Sequence, residues 1–128
     1  MTFRNEDKLF VHKNKISVLK KYLKNRGAIQ MFKQRQVRST YFDNLDYEMY
    51  YNSLEGVVPR KKIRIREYPG FNNKYFLEKK ISSVEGRFKT SNEIKNLDFL
   101  KRGIKDRDYG LCKPVSIVSY IRSYFSLN

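Results

Sequence analysis

The sequence predicts an α+β fold in which five or six antiparallel strands form a barrel-like sheet beside two or three helices. Three observations support this fold class. Short runs rich in β-branched and aromatic residues recur along the chain and are separated by turn signals. Several of these runs alternate charged and apolar residues with a period of two. Only a few segments between them show the apolar spacing or the glycine stops typical of helices.

The first segment, residues 3–12, alternates imperfectly and is predicted to be extended, with Glu6 and Lys8 on one side. A helix follows, since Asn14 can serve as its cap and apolar residues recur at helical spacing as far as about residue 25. Gly27 suits the end of this helix.

The middle of the chain predicts two strands around a short helical turn. Residues 36–42 are rich in Val, Thr and Tyr and read as a strand. The aromatic and acidic stretch 45–54 predicts a helical turn that ends near Gly56. Residues 57–68 form the clearest strand. Period two places its alternating cations on one face and two isoleucines on the other; the cations are Arg60, Lys62, Arg64 and Arg66.

The last part predicts a hairpin, a helix and a long strand. Residues 74–81 return after a Pro-Gly turn, and Gly86 opens another short strand. Residues 92–102 predict a short helix stopped by a glycine, and 105–110 a charged loop. Residues 115–125 read as a strand. We see no linker and therefore expect one domain over residues 1–128.

The composition is strongly basic, with 28 Lys and Arg against 13 Asp and Glu and a net charge of +15. Residues 60–89 alone hold ten cations and three acids. Such a charge favours a polyanionic partner, which could be nucleic acid, an acidic membrane surface or an inorganic phosphate chain. One basic strand alone would be explained as a solvated face. Several neighbouring basic strands would repel one another unless an anion bound between them. Arginine and lysine both suit phosphate oxygens.

Several site chemistries are excluded. The chain has no glycine-rich phosphate loop, so side chains would have to bind the phosphates. The only histidine, His12, has no partner for a zinc site or a catalytic triad. Glu6 and Glu78 lie beside cations; they either balance charge or serve as ligands for a hard divalent metal.

The expected compartment is the cytoplasm. A single cysteine, Cys112, excludes an intrachain disulfide and favours a reducing environment. The polar N-terminal residues lack the apolar run of a secretory signal, and no stretch is long and apolar enough to span a bilayer. We therefore expect no membrane segment in this chain.

Six short motifs occur in an order that resembles the VTC domain, the polyphosphate-polymerase branch of the CYTH or triphosphate-tunnel superfamily. Each motif is weak alone, and the ordered set covers nearly the whole chain. The motifs are Arg4-x-Glu6-x-Lys8, Thr40-Tyr41-Phe42-Asp43, Arg60-x-Lys62-Ile63-Arg64-Ile65-Arg66-x-Tyr68, Phe76-Leu77-Glu78-Lys79-Lys80, Arg87-Phe88-Lys89 and Val118-Ser119-Tyr120-Ile121-Arg122.

The resemblance implies an antiparallel barrel of the triphosphate-tunnel type, with a basic lumen. The phosphate-binding residues would be Lys8, Lys62, Arg64, Arg66, Lys80, Lys89, Tyr120 and Arg122. Arg64, Arg66 and Lys80 would also be catalytic. Glu6 and Glu78 would hold Mn²⁺ or Mg²⁺. The polymerases of this family transfer the terminal phosphoryl group of ATP to polyphosphate.

Compared with that family, the chain is expected to be truncated at its C-terminus, because later strands normally close the barrel and supply a further carboxylate. We therefore expect an incomplete barrel with an open edge near residues 115–125, where a second copy or a complementing chain could pair. Whether this chain is itself an enzyme stays open. The alternatives are a non-catalytic polyphosphate-binding module and a single-stranded nucleic-acid-binding domain in which aromatic residues stack on bases.

Overall fold

A computed structural model describes residues 6–127, and it contains one six-stranded antiparallel sheet that curls into a half-barrel with three helices. The predicted incomplete α+β barrel is therefore confirmed. The spatial order of the strands is β4-β3-β2-β1-β6-β5. Their bounds are β1 (Ile29–Asp43), β2 (Arg60–Glu67), β3 (Tyr75–Ser83), β4 (Gly86–Ile94), β5 (Ile104–Asp106) and β6 (Gly110–Ser126). The helices are α1 (Ile16–Asn25), α2 (Glu48–Glu55) and α3 (Phe99–Arg102).

Strand β1 is the centre of the sheet. Its second half pairs with β2, from Arg38 opposite Glu67 to Phe42 opposite Ile63. Its whole length pairs with β6, from Ile29 to Asp43. The sequence predicted only the second half of this strand. The first half is mostly exposed and mixes apolar with polar residues, so its extended conformation depends on pairing with β6 rather than on a regular apolar pattern.

The two faces of the sheet differ in chemistry, as the period-two pattern predicted. One face, here called the core face, carries a small apolar core under α2 and α3; its buried members are Phe42, Met49, Ile63, Ile65, Ile104 and Cys112. The opposite face, here called the cationic face, carries the even-numbered cations of β2. Helix α2 is fixed to the sheet by Asp43, whose carboxylate accepts backbone hydrogen bonds from Met49 and Tyr50 at 3.0 Å each.

The predicted helix over residues 92–102 is mostly wrong. Strand β4 continues to Ile94, which pairs with Tyr75 of β3, so this pairing overrides the local preference. Only the single turn of α3 is helical, and Gly103 ends it as predicted. A side chain at Gly103 would place its Cβ 2.7 Å from the backbone oxygen of Cys112. The predicted loop at 105–110 overlaps the short strand β5.

The N-terminal predictions are corrected in two places. Residues 6–12 lie in no strand, and Arg4 lies outside the described residues. A 3-10 turn, Lys13–Lys15, precedes α1, and its cap is His12, whose Nδ1 accepts from the backbone nitrogen of Asn14 at 3.3 Å. Gly27 follows α1 with φ of +86°, as a helix stop requires.

The far edge of the sheet is open, as predicted. Strand β6 pairs with β5 only at residues 110–112, whereas residues 113–126 pair with β1 alone within the described part of the chain. In that same part of the chain, no helix combines the length and the apolar character needed to cross a membrane.

Candidate anion-binding site

Three lysines form a row across the cationic face. Lys62 of β2 lies directly opposite Lys80 of β3, and Lys80 lies opposite Lys89 of β4. Side chains opposite one another in a sheet have Cβ atoms about 5 Å apart, and like charges there are destabilising. Within residues 6–127, Lys89 pairs with Glu78 at 3.2 Å, whereas Lys62 and Lys80 have no carboxylate oxygen within 4.0 Å. The row therefore carries uncompensated positive charge.

The lysines of the core face behave differently. Lys61 and Lys79 lie 2.8 and 3.5 Å from the carboxylate of buried Asp106. Desolvation opposes the charge on Lys61, but hydrogen bonds and attraction from Asp106 and Asp108 outweigh it and raise the pKa of Lys61. The core-face lysines Lys61 and Lys79 are thus neutralised by Asp106, whereas Lys62 and Lys80 of the cationic face have no carboxylate partner within the described residues.

Next to the lysine row, Arg64 and Glu78 form a buried ion pair. The Arg64 Nε donates to Glu78 Oε1 at 2.8 Å, and its Nη1 donates to the hydroxyl of Tyr41 at 3.2 Å. The other carboxylate oxygen of Glu78 accepts from the Ser91 hydroxyl at 3.2 Å and pairs with Lys89. Although desolvation alone would raise it, the pKa of Glu78 is lowered, because Arg64 and Lys89 stabilise the carboxylate.

Arg66 connects this pair to the other side of β1. Its Nε donates to Ser39 at 3.3 Å, and its Nη2 donates to the hydroxyl of Tyr120 at 3.1 Å. The same hydroxyl accepts from Arg122 Nη2 at 2.9 Å. Tyr120 therefore links an arginine of β2 with an arginine of β6 across the central strand, and the guanidinium groups continue the cationic face towards the open edge.

Lys80 shows the effect of this concentration of charge. Its pKa is lowered to about 8, first by desolvation and then by repulsion from Arg64, Lys89 and Arg66. Attraction from the Glu6 carboxylate has the opposite effect and raises the pKa of Lys80. An anion bound among these groups would favour the charged form of Lys80 and relieve the repulsion.

The two N-terminal candidates are less constrained. Glu6 and Lys8 lie in the irregular segment before α1, and their side chains are 64% and 89% exposed. They pair loosely with each other at 3.7 Å. Their sequence motif predicted a strand position, which the structure does not show. The influence of Glu6 on Lys80 places it within electrostatic reach of the lysine row.

The predicted metal ligands do not come together as a resident metal site. Glu78 already receives Arg64 on one oxygen and Ser91 and Lys89 on the other. Among residues 6–127 there is no group of three or more His, Cys, Asp or Glu side chains that could hold a metal ion. Glu6 is the predicted ligand whose carboxylate is open to solvent. The prediction of Mn²⁺ or Mg²⁺ remains untested.

An arginine-aromatic cluster lies at the other end of the face. Arg35 of β1 stands opposite Arg122 of β6. Its guanidinium carbon lies 4.1 Å from the ring centre of Phe71, 5.0 Å from Phe32 and 5.4 Å from Tyr124. The Nε of Arg35 is buried and has no hydrogen-bond partner within the described residues.

Sequence reasoning missed several residues that complete the site. These residues lie on the cationic face: Arg35, Ser39 and Tyr41 in β1, and Ser91 in β4, opposite Glu78. The period-two rule would have found them if it had been extended from β2 into the paired strands. Pairing register was the missing information, because it decides which residues of β1 face Arg64.

Comparison with known proteins gives one family. The family model described as "VTC domain" matches residues 3–108, which is most of the chain. No curated protein matches the sequence.

Proposed function

Because the chain belongs to the VTC domain family, whose function is polyphosphate-related in general, we propose that its cationic face binds triphosphate or polyphosphate. The observation that carries this proposal is the row formed by Lys62, Lys80 and Lys89. Three cations opposite one another weaken the sheet unless an anion lies between them. A phosphate chain has the repeated negative charge and the acceptor oxygens that such a row requires.

The arginines serve as the fixed part of this site. Arg64 and Arg66 are each only 6% exposed and are oriented by Tyr41, Ser39 and Tyr120. A preorganised donor loses little freedom when a phosphate binds, so its contribution to affinity is high. We assign phosphate binding to these arginines, to the lysine row, and to Tyr120 and Arg122. We also assign it to Lys8, whose exposed side chain lies in the irregular N-terminal segment.

Transfer of the ATP γ-phosphoryl group to polyphosphate is the reaction that we propose for a complete site of this kind. Phosphoryl transfer requires positioning and neutralisation of charge on the transferred group rather than a side-chain nucleophile. Arg64, Arg66 and Lys80 would hold the reacting phosphates in line and stabilise the charge that develops on their oxygens. A non-catalytic polyphosphate-binding module is the alternative that uses the same contacts.

A divalent metal, Mn²⁺ or Mg²⁺, is proposed as part of the bound phosphate complex. Such metals take oxygen ligands and commonly bridge phosphates. Of the two predicted ligands, Glu6 is the one with room for that role, since Glu78 is engaged by cations. Titration of tripolyphosphate with and without Mn²⁺ tests the assignment: metal should increase affinity in the wild type and have less effect in Glu6→Gln. An equal increase in both would remove Glu6 from the site.

The main experiment compares two lysines of the row with an exposed lysine outside the cationic face. Calorimetric titration with tripolyphosphate should show about tenfold weaker binding, or about 1.4 kcal/mol, for both Lys62→Gln and Lys80→Gln. Their melting temperatures should not fall, because each substitution removes a repelled charge. Lys101→Gln is the matched control, since this exposed lysine lies in α3. Equal affinity in all three variants would refute the proposal.

The open edge of β6 suggests how the site is completed. Residues 113–126 present an unpaired backbone edge next to Tyr120 and Arg122. We propose that a strand of a second copy or of a complementing chain pairs here. Sedimentation with and without tripolyphosphate tests the first possibility: a monomer under both conditions would exclude the second copy.

Single-stranded nucleic acid is a second candidate, favoured by the cluster at Arg35. Phe71 and Phe32 expose about half of their surface beside this arginine, and exposed rings can stack on bases. Competition decides between the two ligands. If an oligonucleotide displaces tripolyphosphate at lower concentration, and if its affinity falls steeply with salt, the nucleic-acid function holds instead.

A further inference from the structure

Helix α1 carries an apolar face that is largely exposed. About 100° separates successive residues of a helix, so one arc of about 160° carries Ile16, Val18, Leu19, Tyr22 and Leu23. Four of these five side chains are exposed, Val18 by 60% and Tyr22 by 52%. No residue of α1 is buried. The apolar arc therefore faces solvent, although the apolar side of a surface helix normally faces the core.

The side of α1 nearest the sheet is the border between its apolar and polar arcs, where Leu23 is half-buried. Lys20 and Lys24 line a cleft of about 430 Å³ together with residues of β1 and β6, among them Gln30, Gln34 and Phe125. Both lysines are nevertheless exposed and can reach solvent, and the valine and most of the apolar arc are exposed as well.

The charge around this apolar arc has one sign. Residues 13–26 contain six Lys and Arg and no Asp or Glu. Two further apolar side chains in the irregular segment, Leu9 and Phe10, are 86% and 93% exposed. An exposed apolar face flanked by cations is complementary to a partner that has anionic groups at its surface and an apolar layer beneath them. That description fits a bilayer containing anionic lipids. A second copy of this chain fits poorly, since two such helices would repel each other.

We propose that α1 lies in the interface of an anionic lipid bilayer, with its apolar arc among the acyl chains and its lysines at the headgroups. This surface is separate from the lysine row of β2, β3 and β4, because the cleft beside α1 is lined by residues of β1 and β6, among them Gln30 and Phe125. The lysine row would remain available for phosphate while the helix is bound.

The test uses the absence of tryptophan from the natural sequence. Tyr22→Trp places a single reporter in the apolar arc, and Ser17→Trp places one in the polar arc as the matched control. With vesicles of phosphatidylcholine and phosphatidylserine, Tyr22→Trp fluorescence should shift to shorter wavelength and be quenched by brominated acyl chains, whereas Ser17→Trp should change little. Vesicles of phosphatidylcholine alone should have little effect on either variant.

A further substitution separates insertion from simple charge attraction. Val18→Glu in the Tyr22→Trp background should weaken vesicle partitioning about tenfold, whereas Lys62→Gln should leave it nearly unchanged. Circular dichroism will confirm that both variants fold. Vesicle binding without a fluorescence shift in Tyr22→Trp would overturn the proposal, because it would show attraction by the net charge alone. A shift that appears without lipid as protein concentration rises would also overturn it in favour of a second copy.

Discussion

Glu78 provides the most informative single perturbation of the site. Its carboxylate is buried at 5% exposure and holds Arg64 at 2.8 Å, Lys89 at 3.2 Å and Arg66 at 3.8 Å. Glu78→Gln keeps the shape and one hydrogen-bond acceptor but removes the charge. Removing one partner of a buried ion pair typically costs about 3–5 kcal/mol. Because the glutamine keeps one hydrogen-bond acceptor, we expect a loss at the lower end, about 3 kcal/mol. For a domain of this size, that loss lowers the melting temperature by about 12 °C.

The same substitution should strengthen phosphate binding. Glu78 competes with any bound anion for the two arginines, so removing its charge frees them for the ligand. A unit charge at about 4 Å contributes at most about 4 kcal/mol near a protein surface, and we expect at least a tenfold gain in tripolyphosphate affinity. Stability and affinity therefore move in opposite directions in Glu78→Gln.

Thermal denaturation and calorimetric titration measure the two effects. Glu93→Gln is the matched control, because its exposed carboxylate pairs with Lys74 at 3.7 Å and should change the melting temperature little. A melting temperature within about 2 °C of wild type would refute the argument from burial. Weaker tripolyphosphate binding that depends on Mn²⁺ would show instead that Glu78 is a metal ligand, as the sequence predicted.

Three further changes test other parts of the structure. Because desolvation and then repulsion lower the pKa of Lys80 to about 8, the destabilisation caused by its charge is present below pH 8 and disappears as pH rises towards 10.5. Lys80→Gln should thus have a higher melting temperature than wild type at pH 7. If the difference in melting temperature persists at pH 10.5, the argument is wrong. Gly103→Ala should lower the free energy of unfolding by about 2 kcal/mol or more, because its Cβ clashes with Cys112. Gly27→Ala has nothing near its Cβ and should lower it by about 1 kcal/mol; denaturant titrations measure both values. Asp43→Ala should lower the free energy of unfolding by about 2 kcal/mol, because the hydrogen bonds from Met49 and Tyr50 of α2 lose their acceptor.

The faces of the strands could be predicted from the sequence, because side-chain direction follows period two alone. The strand around Arg64 was placed to within a few residues, and its cations share one face as expected. Strand ends were less predictable. The first half of β1 and the end of β4 are extended because partner strands hold them, at Ile29 and at Ile94, and their local sequences do not show this.

The site itself was predicted as a set of residues rather than as a network. Composition identified the cations but could not tell which were neutralised. Lys61 and Lys62 are neighbours in sequence, yet Lys61 pairs with Asp106 whereas Lys62 lies opposite another lysine, Lys80. That difference depends on strand register and on where the chain brings β5, which are properties of the whole fold.

The hydroxyl of Tyr120 has one more property. Its oxygen has two lone pairs, and it accepts hydrogen bonds from both Arg66 and Arg122. Only its proton remains, and within residues 6–127 that proton has no acceptor. The group is therefore a donor of fixed polarity, although hydroxyls usually reverse their role freely. A ligand atom that hydrogen-bonds to this hydroxyl must therefore be an acceptor, as an oxygen of the proposed phosphate ligand would be, because an N–H or O–H donor would find no free lone pair there.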